Sequence, residues 1–273
     1  MIRLDGPLVL AGAGNMGGAM LAGWLARGLA PSDIIVQDPG PPPATAELLA
    51  KHGVRSVQTI ESLPKPPSVL LMAVKPQVMD QVFPPLAKLA GPNSVVLSIA
   101  AGRTIASFEK YLPAGSAVVR SIPNTPAAVG RGITVAAANT HVTAQHKQTV
   151  TELLSTIGEV AWVDDEALID PVTAVSGSGP AYVFYMVEAM AAAGVAAGLK
   201  PDLAMQLARA TVTGAGELLH QSPLDAATLR QNVTSPNGTT FAALQVLMAK
   251  DGLEPLMTAA VAAATKRSRE LAQ

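Results

Sequence analysis

Six residues, Gly12-Ala13-Gly14-Asn15-Met16-Gly17, constrain this 273-residue chain more than any other stretch. They follow a short apolar run, Leu8 to Ala11, and lead into a helical stretch from Gly18 to Gly28. Between a strand and a helix, each glycine of a G-x-G-x-x-G pattern has its own steric reason. Gly12 permits the tight turn, Gly14 lets the backbone approach a pyrophosphate, and Gly17 allows close helix–strand packing. The helix start then offers free N–H groups to phosphates. An ordinary glycine-rich turn is the competing reading, and the position between strand and helix favours the dinucleotide site.

The stretches that follow keep the same alternation. Ile34-Ile35-Val36 reads as a second strand and Ala44 to His52 as a second helix, stopped at Gly53. Val69 to Val74 is an unbroken apolar run, as expected for a strand buried on both faces. Ser94 to Ile99 and Ala117 to Arg120 repeat it, and Val135 to Ala137 and Val160 to Val163 read as the last strands, with a helix from about Ala144 to Ile157 between them. Alternation of this kind predicts an α/β fold with a doubly wound, mainly parallel sheet. From Glu166 onward only long Ala-rich helical stretches remain, so a domain boundary is expected near residue 163: a Rossmann-type dinucleotide-binding domain over 1–163 and an all-helical domain over 164–273. No solenoid-length repeat is present.

Ligands of open α/β sheets bind beyond the carboxyl ends of the strands. Three further segments stand there: Ala73-Val74-Lys75-Pro76, Ala100-Ala101-Gly102 and Pro123-Asn124-Thr125-Pro126. Asp38 ends the second strand, where an acid accepts from the 2′-hydroxyl of NAD. No Arg or Lys follows it until Lys51, which leans the coenzyme toward NADH rather than NADPH. Asp38 as a cap of the turn before Pro39 stays open as the alternative.

In the second half, Thr234-Ser235-Pro236-Asn237-Gly238-Thr239-Thr240 precedes a helical stretch, Phe241 to Ala249. N–H groups and hydroxyls at a helix start suit a small carboxylate, although a plain N-cap loop reads the same way. Ser176-Gly177-Ser178-Gly179-Pro180 has serines but not G-x-S-x-G, and no strand precedes it, so a serine hydrolase is not expected.

Composition removes other classes. A formal net charge of −1 gives no reason to expect nucleic acid or an anionic membrane. With no cysteine there are no disulfides and no thiolate metal sites, and a cytoplasmic location is expected. His52, His141, His146 and His220 show no metal-ligand spacing, so no metal is predicted. The N-terminal residues Met1 to Gly6 lack the apolar region of a signal peptide. Pro180 to Leu199 carries Glu188 as its only charge, but its Ala- and Gly-rich make-up predicts a helix buried in an oligomer rather than a membrane span. Charged residues make up 14% of the chain, below the usual share, which leaves surface for subunit contacts unless it reflects genome bias.

Taken with Val175 to Tyr182 (Val-Ser-Gly-Ser-Gly-Pro-Ala-Tyr) and the Asn232–Thr240 loop, these motifs make the chain resemble the pyrroline-5-carboxylate reductase family over essentially its whole length. A generic dinucleotide-binding protein has no reason to carry the last two motifs. The resemblance implies an NAD(P)H-dependent reduction of 1-pyrroline-5-carboxylate to L-proline. It also implies a helical dimerisation domain that interlocks with a second subunit, and dimers that in the family often assemble into decamers. By position it implies cofactor contacts at Ala13, Asn15, Met16, Asp38, Val74, Lys75 and Ala101. Substrate contacts are implied at Glu166, Asn232, Thr239 and Thr240, with the substrate carboxylate on Ser235 to Thr240.

Thr240 is the expected catalytic residue, holding the ring nitrogen while hydride reaches the C=N carbon. Positioning and desolvation would supply most of the rate. Two positions depart from the family. Asn237 stands where glycine is more usual, and an αL conformation would let it keep the loop shape. Asp38 stands where Ser or Asn is found, which questions the family's frequent use of NADPH. A β-hydroxyacid dehydrogenase would need a catalytic Lys on the interdomain helix, and Gly179 to Ala197 contains none. A non-catalytic NAD(P) sensor would have no use for the Asn232–Thr240 loop.

Overall fold

The computed structural model describes residues 2 and 4–272. The N-terminal reading rests in part on Met1 and Arg3, which lie outside them. Eight strands form one sheet: β1 (Leu8–Ala11), β2 (Ile34–Gln37), β3 (Arg55–Val57), β4 (Val69–Met72), β5 (Val95–Ser98), β6 (Ala117–Ile122), β7 (Gly132–Ala138) and β8 (Gly158–Val163). Their order is β3-β2-β1-β4-β5-β6-β7-β8. All neighbours are parallel except β6 and β7, so the last two strands run against the other six. β1 lies between β2 and β4, and there the winding reverses. The crevice that such a reversal opens at the carboxyl ends is where this fold binds ligands.

The strands of the inner sheet are buried on both faces, as their continuous apolar runs predict. Helices α1 (Asn15–Ala26), α2 (Pro43–His52), α3 (Met79–Ala87), α4 (Ile105–Glu109) and α5 (Ala144–Leu154) cover it. One core layer joins Leu8, Leu10 and Val119 to Met20, Trp24, Leu49 and Leu153; the indole N–H of Trp24 donates to the Leu153 carbonyl at 3.0 Å. The other joins Val9, Leu70 and Val118 to Phe83, Leu86 and Phe108, with the two phenyl rings edge to face at 4.9 Å. Full burial of each such side chain contributes about 1.5–3 kcal/mol. Helix ends follow local chemistry: α2 starts with Pro43 and stops at Gly53, as expected, with a φ of +66° that makes a left-handed cap.

A short turn at Glu166–Leu168 leads into α6 (Ile169–Val172) and a π-helical turn at Thr173–Gly177. The helices α7 (Gly179–Ala196), α8 (Pro201–Gln221), α9 (Ala226–Asn232), α10 (Thr239–Leu247) and α11 (Leu253–Leu271) follow. The chain forms two compact units. One comprises Met1–Gly177 with Ala264–Gln273, and the other Ser178–Ala263. The division therefore falls later than the expected 163/164 boundary. Residues 164–177 stay with the sheet because Ile169 is fully buried against Ile122, Val135 and Ala137, with Val172 beside them. Among the described residues no helix is long and apolar enough to cross a membrane.

Candidate active site

The Gly12–Gly17 turn leaves the carboxyl end of β1 beside the loop that leaves β4. Ala73 N–H donates to the Ala11 carbonyl at 2.7 Å and Gly12 N–H to the Gln37 carbonyl at 2.9 Å, so three strand ends meet there. Gly12 has φ +92°, and a Cβ on it would lie 2.8 Å from the Ala73 and Val74 backbone. A Cβ on Gly17 would strike the Gly12 carbonyl oxygen. Around Gly14, by contrast, no protein atom beyond its chain neighbours Ala13 and Asn15 lies within 4 Å of a Cβ position. Two glycines thus close the turn and the middle one faces open space, as a pyrophosphate-binding turn requires.

Gly14 is also the N-cap of α1 and makes no side-chain cap, so the first N–H groups of the helix remain to bind an anion. Asn15 is exposed and Met16 half-buried at the helix start, while Ala13 is buried. These residues fit the phosphates and ribose of a dinucleotide.

Asp38 is tied to this turn. Its Oδ2 accepts from Ala13 N–H at 2.7 Å, and its Oδ1 accepts from Gly40 N–H at 2.8 Å. One oxygen thus caps the turn after β2, as the capping reading expects, and the other holds the glycine-rich turn.

The other strand-end loops are built by specific contacts. Val74 is half-buried and Lys75 exposed, and Pro76 offers its carbonyl to Nη2 of Arg103 at 2.8 Å. Arg103 also forms a bidentate pair with Asp80, at 2.9 and 2.7 Å. The hydrogen bonds from Arg103 hold the Asp80 carboxyl below the usual carboxylate range. Gly102, between Ala101 and Arg103, has φ +70°. Asn124 spends its amide oxygen on Ile133 N–H at 3.0 Å, which fixes the turn after β6 to β7 and leaves its NH2 group for other partners.

Glu166 belongs to the sheet unit and faces inward. Its Oε1 accepts from Ile105 N–H at 2.8 Å and from Nη1 of Arg120 at 3.0 Å. Arg120 was not legible as a site residue, because it lies inside an apolar strand and meets Glu166 only through the fold.

In the helical unit, α9 ends at Asn232 and α10 begins at Thr239. Gly238 N–H donates to the Ser235 carbonyl at 3.0 Å, closing a tight turn. Asn237 has φ +59°, the left-handed conformation expected for it. Gly238 is the N-cap of α10 and contributes no side chain, so the N–H groups of Thr239 and Thr240 open the helix without a side-chain cap. Asn232, Ser235 and Thr239 are exposed and Thr240 is half-buried. An open surface pocket of about 570 Å³ is lined by Met248, Lys250, Glu254 and Ala262 and contains none of these residues. Among the described residues no group of three His, Asp or Glu side chains could hold a metal ion.

Residues 166–271 match the family described as pyrroline-5-carboxylate reductase dimerisation, and residues 8–102 that described as NADP oxidoreductase, coenzyme F420-dependent. The chain is 40% identical over 266 residues to a pyrroline-5-carboxylate reductase of Pseudomonas aeruginosa, covering 97% of each. It is 42% identical over 268 residues to one of Synechocystis, again over 97% of both chains. Among solved structures, a pyrroline-5-carboxylate reductase of Coxiella burnetii superposes with a TM-score of 0.90 at 33% identity, over 98% of this chain and 99% of that one. A pyrroline carboxylate reductase of Plasmodium falciparum with NADP bound gives 0.80 at 26% identity, over 98% and 99%.

Proposed function

The chain belongs to the pyrroline-5-carboxylate reductase family, and we propose that it acts as an NAD(P)H-dependent reductase turning 1-pyrroline-5-carboxylate into L-proline. The observation that carries this reading is the Gly12–Gly17 turn, closed at Gly12 and Gly17 and open at Gly14, in a chain that also keeps the Asn232–Thr240 loop. A dinucleotide would be held by Gly12 to Gly17 at its phosphates and by Asp38 at its ribose. Ala73 to Pro76, Ala101, Gly102 and Asn124 would hold the remainder. Bound NAD(P)H supplies a hydride to the C=N carbon, and the ring nitrogen, protonated, becomes the secondary amine of proline.

The protein's own contribution is binding and orientation. The N–H groups at the start of α10, with the hydroxyls of Ser235 and Thr239, suit the substrate carboxylate, and Asn232 adds an amide beside them. The Thr240 hydroxyl would hydrogen-bond the ring nitrogen. A protonated imine is already a strong electrophile, so fixing its distance and angle to the hydride supplies most of the acceleration.

For the coenzyme, Asp38 favours NADH, because its carboxylate repels a 2′-phosphate. The NADP bound to the Plasmodium relative supports NADPH use in the family, so the two coenzymes must be compared directly. The match of residues 166–271 to the dimerisation family supports a homodimer. Decamers as a further assembly, a cytoplasmic location, and a division of labour between a coenzyme half (1–163) and a substrate and dimerisation half (164–273) rest on the sequence reading alone. The deciding experiment follows NAD(P)H absorbance with 1-pyrroline-5-carboxylate added to the purified protein. Oxidation that depends on this substrate and yields proline supports the assignment; none with either coenzyme would sink it.

A further inference from the structure

Arg120 is a cation in a strand that is buried along its whole length, and its side chain is 2% exposed. A guanidinium removed from water costs several kcal/mol unless charge and hydrogen bonds compensate. Its Nη1 donates to Glu166 Oε1 at 3.0 Å, and Nη2 lies 3.7 Å from Asp170 Oδ1. Nε and Nη2 have no hydrogen-bond partner, so opposite charge holds the group more than saturated bonding does. Asp170 is in turn engaged by the last helix: its Oδ1 accepts from the Ser268 hydroxyl at 2.7 Å, and Arg269 Nε lies 4.0 Å from its Oδ2. All these residues lie in the sheet unit.

Glu166 passes this anchorage on. The Oε1 that meets Arg120 also accepts from Ile105 N–H, the first residue of α4. A helix of five residues has little stability of its own, so its start depends on such caps. Its N-cap, Thr104, accepts from Ser107 N–H at 3.2 Å and ends the loop that carries Ala101 and Gly102. Arg103, in the same loop, is tied on its other side to the Pro76 carbonyl and Asp80. A Cβ on Gly102 would lie 2.9 Å from the Leu271 carbonyl oxygen, so the loop passes close to the end of the last helix with no room there for a side chain.

We infer that Arg120 and Glu166 are a positioning pair for the coenzyme: the buried guanidinium fixes the Glu166 carboxylate, which fixes Ile105 and the Ala101–Gly102 loop. Glu166 then serves the reaction through this loop rather than as the substrate contact implied by family resemblance. The inference rests on the reading that the Ala101–Gly102 loop faces NAD(P)H.

The test is coenzyme affinity by fluorescence titration, KM for 1-pyrroline-5-carboxylate at saturating coenzyme, and melting temperature. Glu166→Ala should raise the coenzyme Kd about tenfold and leave the substrate KM within about twofold. Glu166→Gln keeps an oxygen for Ile105 N–H but loses the charge that holds Arg120, and should recover part of the affinity lost in Glu166→Ala. Arg120→Met should shift affinity as Glu166→Ala does; if it does not fold, the two Glu166 variants decide.

Ala101→Glu, at an exposed loop position, is the control and should weaken coenzyme binding directly. If it does while Glu166→Ala binds coenzyme like wild type, the inference falls and the loop assignment stands, whether or not the melting temperature drops. A raised substrate KM with unchanged coenzyme affinity in Glu166→Ala also overturns it. If neither substitution changes coenzyme affinity, the loop assignment and the inference fall together.

Discussion

The Asp38 carboxylate accepts a 2.7 Å hydrogen bond from Ala13 N–H, across 25 residues of sequence, and so links the end of β2 to the glycine-rich turn after β1. Coenzyme choice follows from this position. A 2′-phosphate brought beside Asp38 meets a negative charge already spent on two backbone donors, whereas a 2′-hydroxyl can donate to it. Asp38→Ser should raise the kcat/KM ratio of NADPH to NADH about tenfold, on the order of 1.4 kcal/mol. Steady-state kinetics with both coenzymes check this. An unchanged ratio would mean that Asp38 only supports the Ala13 and Gly40 turns.

The three glycines of the turn should separate folding from binding. Gly14→Val places its side chain where no protein atom is near, so the melting temperature should stay close to wild type while NAD(P)H binding is lost. Gly17→Val drives a side chain into the Gly12 carbonyl and should destabilise the sheet unit by about 1–3 kcal/mol or more. Thermal melts alongside coenzyme titrations distinguish the two. A Gly14→Val protein with native affinity would remove this turn from the coenzyme site.

Legibility followed the range of the interactions involved. Leu8–Ala11 and Val95–Ser98 could be read because burial on both faces writes itself as a continuous apolar run. Gly53 and Asn237 could be read because left-handed backbone selects few residue types. β3 escaped: Arg55 and Ser56 are exposed on an edge, so its sequence carries no apolar signature. The Arg120–Glu166–Asp170 cluster escaped because it spans three elements, and no local pattern marks an arginine that a fold will bury. The return of Ala264–Gln273 to the sheet unit was equally hidden, since Ser268 gains its meaning only from Asp170.

Assembly can be tested on α7. Phe184 is 62% and Tyr185 70% exposed in the single chain, with Met186 and Met190 on the same helix also exposed. Apolar surface of this kind calls for a covering partner. The protein should be at least dimeric by light scattering, and Phe184→Asp should shift it toward monomer. A wild-type monomer at working concentration would contradict the proposed assembly.

The catalytic assignment turns on one hydroxyl. Thr240 follows the turn in which Gly238 N–H closes on Ser235, and it lies in the first turn of α10 beside N–H groups free of a side-chain cap. Thr240→Ala should leave coenzyme affinity unchanged, because this residue is assigned to the substrate. If the hydroxyl bonds the ring nitrogen chiefly in the transition state, its loss should lower kcat/KM by about 1–3 kcal/mol, roughly ten- to a hundredfold. Thr240→Ser keeps the oxygen and should retain most of the activity. Kinetics of both variants at saturating coenzyme decide among three outcomes. An active Ala variant would reduce the hydroxyl to a helix-start residue and leave the nitrogen's proton to water. A Ser variant as poor as Ala would show that packing of the Thr240 methyl outweighs the hydrogen bond. Only a poor Ala and a good Ser together support the hydroxyl as the group that orients the imine.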